Sequence, residues 1–357
     1  MNFRSALIRR LQAEGWRVVC IAPQDGYAGQ LEAMGCRFIS LPLVNAGTNP
    51  LQELHSIWAY YRAYRRGRPA VALHFTPKAN IYGSLAARLT RVPCINNIAG
   101  LGTAFIHDGP LTRIVRALYT LSQKSCRRIF FQNPDDRALF LDRGLARPEQ
   151  TDLLPGSGVD TERFASVPAQ RGDTECVVFL LIARLIWDKG VGEFADAARQ
   201  VLAEYPQARF QLLGFVDDNN PRAVPEEQIR SWEEEGTLTW LGRSDDVRPH
   251  IASADCVVLP SYREGTPKSL LEAASMGKPL ITTNAVGCRQ TVEDGVNGFL
   301  CRPRDAQDLA AKMHAFLALP TDEREQMGQR GREKMVREFD ERIVLDTYLA
   351  AIREIVG

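Results

Sequence analysis

The stretch DCVVLPSYREGTPKSLLEAASMGKPLITT, residues 255–283, decides the fold of the second half of this chain. It contains an apolar run, a polar turn, a helical pattern and a second apolar run, which predicts a strand, a loop, a helix and a strand. Thr266 followed by Pro267 predicts the helix start, with the threonine as N-cap and the proline at the first helical position. Glu264 lies in the loop and Glu272 in the second turn of the helix, so the fold of this stretch sets two carboxylates eight residues apart.

The same alternation extends in both directions and predicts parallel sheets flanked by helices. Apolar, β-rich runs stand at 16–23, 36–43, 70–75, 93–100, 128–133, 176–183, 208–214, 238–242, 255–260, 278–283 and 298–301. Helical patterns stand at 49–66, 110–128, 191–204, 306–317 and 342–356. A Gly/Pro-punctuated linker at 153–164 separates the two halves. The sequence predicts an α/β fold of two doubly wound, Rossmann-like domains with a ligand cleft between them: residues 1–157, with 342–357 packing back on them, and residues 158–341.

Composition is that of a globular enzyme, with 45% hydrophobic and 24% charged residues among 357. The longest apolar run has eight residues, 176–183, whereas a membrane-spanning helix needs about 20. The first residues, MNFRSALIRRLQ, already have an amphipathic helical pattern, so we expect no signal peptide. Eight cysteines without a CxxC pair are typical of reduced thiols in a cytoplasmic protein rather than of a disulfide frame or a zinc site.

Charge is divided unevenly along the chain. Residues 1–160 carry a net +9 and residues 161–357 a net −8, and residues 1–128 alone carry +12. This excess indicates an anionic partner, either nucleic acid or a membrane surface, and no nucleic-acid motif appears. The run WAYYRAYRRGR, residues 58–68, mixes aromatics with arginines and favours an anionic membrane surface. The alternative is a solvated helix face with Trp58 and a tyrosine in the core.

Two clusters carry the chemistry. The helix that follows Thr266 begins with free N–H groups and a positive dipole end, which favours an anion. Glu264 would then bind hydroxyl groups of a ligand whose phosphates lie at the helix start, and Glu272 would reach another part of the same ligand. Alternatively, Glu264 balances the helix dipole and Glu272 lies on a solvated face. In ARLIWDKG, residues 183–190, Arg184 and Lys189 follow a buried strand and suit a pyrophosphate. The alternative is a pair of surface charges on an ordinary loop.

These segments resemble the retaining glycosyltransferases of family 4, which have the GT-B fold. The resemblance rests on ARLIWDKG, on the E-x7-E pair within PSYREGTPKSLLEAASMGKPLITT, and on EDGVNGFL. FFQNPDDRALF, PGSGVDTERF and AGLGTAFIHDGPLTRIVRALY extend it toward the bacterial subgroup that builds O-antigen, capsule or N-glycan precursors on undecaprenyl diphosphate. The resemblance implies a nucleotide-sugar donor, with UDP the usual carrier, and an undecaprenyl-diphosphate-linked acceptor. It also implies a cytoplasmic enzyme, peripheral on the inner face of the plasma membrane, that needs no metal.

The resemblance also implies roles for individual residues. Arg184 and Lys189 would neutralise the donor diphosphate, Glu264 would hold the donor sugar, and Glu272 would bind the ribose hydroxyls. The remaining implied donor contacts are Leu241, Gly242, Arg243, Gly265, Thr266, Pro267, Ser269 and Leu270.

The first domain departs from the family pattern. Family members often carry a histidine or an acid where this chain has Ala99, so His74 becomes the catalytic candidate there, with a structural role as its alternative. The family pattern also implies a strand and a glycine turn before the first helix, whereas this sequence begins at the helix. Two other functions stay open at this point: a non-catalytic nucleotide-sugar-binding partner and a GT-B sugar-nucleotide epimerase.

Overall fold

The structure is a computed structural model, and it describes residues 4–24, 26–41, 50–100, 110–166, 176–217 and 220–357. The chain forms two compact units, Met1–Ser157 with Arg342–Gly357 and Gly158–Glu341. Each unit is an α/β structure built on parallel strands, so the predicted fold class is confirmed.

In the first unit, the described residues form two parallel sheets. The strands of these sheets are β1 (Val19–Ala22), β2 (Arg37–Ser40), β3 (Ala72–His74), β4 (Cys94–Ile98), β5 (Arg128–Phe131) and β6 (Thr151–Leu153). Its helices are α1 (Ser5–Ala13), α2 (Ala28–Ala33), α3 (Pro50–Gly67), α4 (Ser84–Thr90), α5 (Pro110–Gln123) and α6 (Pro134–Asp142). Strands β1 and β2 pair with each other, and the larger sheet has the order β3-β4-β5-β6.

Alternate residues of β4 and β5 face two separate cores, as the pleat requires. Cys94, Ile98 and Phe131 pack under α3, α4 and α5 on one face of the sheet. Ile95 and Phe130 pack on the other face against α1 and the last helix of the chain. The larger sheet therefore has helices on both faces, and α3, α4 and α5 lie together on one of them.

In the second unit, the part of the chain that the structure describes forms one six-stranded parallel sheet. Its strands are β7 (Val178–Ile182), β8 (Arg209–Leu213), β9 (Thr239–Trp240), β10 (Cys256–Leu259), β11 (Leu280–Thr283) and β12 (Gly298–Cys301). Its helices are α7 (Val191–Glu204), α8 (Glu226–Glu234), α9 (Arg248–Ser253), α10 (Lys268–Ser275), α11 (Ala306–Ala318) and α12 (Thr321–Lys334). The last helix, α13 (Glu341–Val356), returns to the first unit, where Tyr348 packs edge-on against Phe130 with ring centroids 5.1 Å apart.

The predicted elements are present. Most strands are one to three residues shorter than the apolar runs at one or both ends, whereas β12 occupies the whole of its run. Helix α7 occupies Val191–Glu204, the predicted range. All eight cysteines are free. In the described part of the chain, the helices are too short or too polar to cross a bilayer.

Candidate functional site

The strand order of the second unit places the predicted donor residues at one point of the sheet. The order β12-β11-β10-β7-β8-β9 reverses direction between β7 and β10. In open α/β sheets, ligands bind beyond the carboxyl ends of the strands at such a reversal. The loop after β7 carries Arg184 and Lys189, and the loop after β10 carries Glu264. Neighbouring strands thus bring together residues about 75 positions apart in sequence.

Close backbone contacts hold these two loops against each other. Gly190 has a φ of 73°, and a Cβ at this position would collide with the carbonyl oxygen of Pro260, so glycine is needed for the approach. The backbone N–H of Tyr262 and the hydroxyl of Ser261 both donate to the carbonyl oxygen of Asp188, at 2.9 and 3.1 Å. The two loops therefore form one rigid surface at the carboxyl ends of the central strands β7 and β10.

A third loop, after β11, fixes the backbone of Glu264. The N–H of Glu264 donates to the carbonyl oxygen of Val286 at 2.9 Å. Gly287 has a φ of 81°, and a Cβ there would collide with the carbonyl oxygens of Glu264 and Gly265. The position of the Glu264 side chain is therefore set by two neighbouring loops rather than by α10 alone.

Lys189 and Glu264 form an ion pair at the carboxyl ends of β7 and β10, with the Lys189 ammonium donating to Oε1 of Glu264. Their side chains are only 17% and 14% exposed. Arg184 is exposed, and its guanidinium makes no ion pair or hydrogen bond with the residues that the structure describes. The structure thus joins Lys189 to Glu264, whereas the sequence grouped Lys189 with Arg184.

The helix start differs from the prediction. Helix α10 begins at Lys268, and Pro267, at φ −73° and ψ 114°, stands outside it as the N-cap residue. The prediction that Thr266 is the N-cap was wrong, because its hydroxyl donates to the carbonyl oxygen of Gly265 at 2.9 Å. The N-cap residue Pro267 has no side-chain acceptor, so it leaves the first N–H groups of α10 uncapped.

Glu272 lies on the buried side of α10 and not on a solvated face. Its side chain is 13% exposed, and Oε1 lies 3.7 Å from the ammonium of Lys268. Burial raises the pKa of Glu272, while the charges of Lys268 and Arg163 oppose that rise. Glu272 is therefore a desolvated carboxylate whose acceptor capacity suits ligand hydroxyls.

The other predicted donor contacts lie in two segments, one after β9 and one at the start of α10. Leu241, Gly242 and Arg243 follow β9, also at the carboxyl end of the strands. There, the N–H of Gly214 donates to the carbonyl oxygen of Gly242 at 2.8 Å. Ser269 is half-buried in the first turn of α10. The side chain of Leu270 is fully buried in the core, so its predicted contact with the donor cannot be a side-chain contact.

His74 lies inside the first unit, 3% exposed. One ring nitrogen is 2.8 Å from the hydroxyl of Tyr64 and the other 2.7 Å from Oδ1 of Asn96. Burial lowers the pKa of His74 to about 4. Because both nitrogens are engaged and the ring is covered, the structure favours the structural role over the catalytic one. Ala99 is exposed just after β4, and residues 101–109 of the GLG segment lie outside the described residues.

Sequence reasoning assigned no role to two residues that support the site. The hydroxyl of Tyr262 donates to Oε1 of Glu193 in the first turn of α7 at 2.6 Å, and the guanidinium of Arg304 lies 4.6 Å from the centre of its ring. Arg163 acts on Glu272 through its charge. Both residues stand inside motifs quoted above, but neither motif indicates which partner the side chain reaches.

No group of three or more His, Cys, Asp or Glu side chains arranged to hold a metal ion occurs among the described residues. A reaction without a metal therefore stays a prediction from the resemblance. The carboxyl ends of these strands present a cation, a helix start without a side-chain cap from its N-cap residue, and two partly desolvated carboxylates. Together these groups suit a ligand with phosphate and hydroxyl groups.

Comparison with known proteins links both units to sugar transfer. The family model described as glycosyl transferases group 1 matches residues 165–334, which include Lys189, Glu264 and Glu272. The model described as glycosyl transferase 4-like domain matches residues 3–156.

Two curated relatives match most of the chain. An N,N'-diacetylbacillosaminyl-diphospho-undecaprenol alpha-1,3-N-acetylgalactosaminyltransferase of Campylobacter jejuni is 27% identical, over 98% of this chain and 94% of that protein. A UDP-Gal:alpha-D-GlcNAc-diphosphoundecaprenol alpha-1,3-galactosyltransferase of Escherichia coli is 25% identical, over 85% of this chain and 78% of that protein.

Solved structures show the same fold. A glycosyltransferase of Rickettsia africae matches with a TM-score of 0.81 and 16% identity, covering 100% of this chain and 94% of that chain. An Anabaena protein in complex with UDP and glucose matches with a TM-score of 0.79 and 22% identity, covering 98% of this chain and 95% of that chain. At these identities the likeness concerns the fold.

Proposed function

Because the chain belongs to the family 4 glycosyltransferases of the GT-B fold, we propose that it moves a sugar, with retention of configuration, from a nucleoside diphosphate to a saccharide on a lipid diphosphate. The observation that carries this proposal is the Lys189–Glu264 pair at the reversal of the strand order, beside the uncapped start of α10. An undecaprenyl-diphosphate-linked acceptor agrees with the names of both relatives, and a UDP-linked donor agrees with the name of the Escherichia coli relative.

The cations would stabilise the leaving group. As the bond between the anomeric carbon and the phosphate oxygen breaks, negative charge grows on the nucleoside diphosphate. Lys189 and the first N–H groups of α10 would stabilise that charge with little reorganisation, because the two loops that carry them are held together by backbone hydrogen bonds. Arg184, exposed after the same strand, would bind an outer phosphate oxygen through its guanidinium.

The two glutamates would orient the donor without transferring a proton. Glu264 would accept hydrogen bonds from hydroxyls of the sugar, and Glu272 from hydroxyls of the ribose. The new bond joins the anomeric carbon to an acceptor hydroxyl oxygen, and the proton of that hydroxyl leaves with the diphosphate or with water. The charges of Lys189 and Arg184 would do the work of a metal ion in this step.

We place the enzyme on the inner face of the bacterial plasma membrane, with an anionic membrane surface as its partner. A lipid-linked acceptor stays in the bilayer, so the transferase must come to the membrane surface to meet it. Cysteines without disulfides agree with a cytoplasmic location.

A thermal-shift panel tests the donor, because a ligand that binds the folded state raises its melting temperature. Nucleotide sugars, their free nucleoside diphosphates and the nucleoside monophosphates form the panel. We expect a nucleoside diphosphate and its sugar conjugate to stabilise the protein, with the monophosphate as the matched control. The stabilising donor is then incubated with a lipid-diphosphate-linked saccharide, and transfer is measured by chromatography. The proposal would be contradicted if none of the nucleoside diphosphates raised the melting temperature, or if the monophosphates raised it equally.

A further inference from the structure

Helices α3, α4 and α5 form a layer over one face of the larger sheet of the first unit. Tyr60 and Tyr64 of α3, Ala87 of α4 and Tyr119 of α5 point into the core beneath. The opposite sides of these helices face solvent. In α3 the exposed positions 54, 58, 62 and 65 follow one another at spacings of three or four, so they form one stripe on the helix.

This outward side carries basic residues and almost no acid. Among the described residues between 50 and 128, eight cations are exposed: Arg62, Arg65, Arg66, Arg68, Arg88, Arg91, Lys124 and Arg127. Residues 50–100 and 114–128 contain one acid, Glu53. Glu53 is 15% exposed in its side chain and lies 2.7 Å from the ammonium of Lys78. Its charge is therefore already balanced by Lys78, so positive charge predominates at the exposed positions described on and beside these helices.

Large apolar side chains stand among the arginines. Leu54, Trp58, Leu89, Ile114 and Leu121 are between 46% and 67% exposed. The guanidinium of Arg62 lies 4.5 Å from the centre of the Trp58 ring, so a cation and an amphipathic ring are in contact on this surface. Single exposed apolar residues are ordinary, whereas five of them on one layer that is otherwise basic indicate an interaction surface.

We infer that this outward side of α3, α4 and α5, which we call the basic face, docks the enzyme on a bilayer that contains anionic phospholipid. The charge complements phosphate headgroups, and the apolar residues would enter the boundary between headgroups and acyl chains. The interspersed aliphatic side chains favour a bilayer over nucleic acid, whose phosphates would be met by cations alone. This inference rests on the proposed function, in which the acceptor is held in the membrane.

Vesicle flotation of the full chain tests the basic face. We expect binding to vesicles of phosphatidylglycerol and phosphatidylethanolamine, and little binding to pure phosphatidylcholine. A triple change, Arg62→Gln with Arg65→Gln and Arg66→Gln, removes three cations near the surface, each worth about fivefold in the partition coefficient, so the loss should be about a hundredfold at low salt. Trp58→Ser with Leu89→Ser should weaken binding at both low and high salt, because apolar insertion is not screened.

The matched control is Arg230→Gln with Arg337→Gln in the second unit, two exposed arginines at 60% and 63%. This control should bind vesicles almost as the wild type does. Equal loss in the control, or equal binding to neutral and anionic vesicles, would overturn the inference. Tight binding to duplex DNA without binding to vesicles would overturn it as well.

Transfer to a short-chain, water-soluble acceptor analogue separates this inference from the proposed function. We expect the basic-face variants to keep the wild-type rate on the soluble acceptor while they lose binding to vesicles. A wild type that binds vesicles and transfers nothing to either acceptor supports the basic face and contradicts the proposed function alone.

Discussion

Replacing Lys189 by methionine tests the donor site most directly. In the protein, the ammonium of Lys189 balances the carboxylate of Glu264, and both side chains are largely shielded from water. The change removes the cation and leaves the carboxylate. A bound diphosphate would then lose an attraction and meet an unbalanced negative charge.

The size of the effect follows from this geometry. Two unit charges about 4 Å apart interact by about 4 kcal/mol at an effective dielectric constant of about 20, and residual exposure screens part of that. A charge-assisted hydrogen bond contributes about 1.5–3 kcal/mol. We therefore expect a loss of about 2 kcal/mol, or about thirtyfold in the dissociation constant of the nucleoside diphosphate.

Isothermal titration with UDP measures this loss in a double-mutant cycle with Glu264→Gln. The double variant should bind UDP more tightly than Lys189→Met alone, because the unbalanced carboxylate has gone. Arg184→Gln is the matched control: its exposed guanidinium should matter less, by about threefold to fivefold. Wild-type affinity for UDP in Lys189→Met would refute the donor site, and additive effects in the cycle would refute the coupling.

Three further predictions concern other residues. Glu272→Gln should weaken UDP binding about tenfold, the worth of a charge-assisted hydrogen bond, and should leave the affinity for a 2',3'-dideoxy analogue unchanged; an equal loss for both ligands would refute the ribose contact. Tyr262→Phe removes the 2.6 Å hydrogen bond to Glu193 but keeps the ring, so the donor KM should rise several-fold while the melting temperature falls by only a few degrees; an unchanged KM would contradict a positioning role. His74 is neutral in the fold with a pKa of about 4, against 6.5 when unfolded, so the unfolded state binds the proton first as pH falls. Stability should therefore fall by up to about 3 kcal/mol between pH 6.5 and 4, and urea unfolding of His74→Gln should show a flatter pH profile over that range.

Much of the site was readable from local sequence. The loop after β7, the loop after β10 and the glutamate in the second turn of α10 all follow from periodicity and turn residues, which act over a few positions. The helix start was predicted one residue early, because the sequence cannot show that the hydroxyl of Thr266 bonds to the carbonyl oxygen of Gly265 instead of capping α10. The partners of Tyr262 and Arg163 were unreadable for the same reason, since each lies on another element.

The sequence by itself determined the alternation of strands and helices, the identity of the cations and carboxylates, and the concentration of positive charge in the first half. These features depend on residue type and local spacing. The tertiary structure alone decided that Lys189 pairs with Glu264 and that His74 is enclosed by Tyr64 and Asn96. Strand order sets which loops become neighbours, and burial sets which charges lose water; both arise from contacts between residues far apart in sequence.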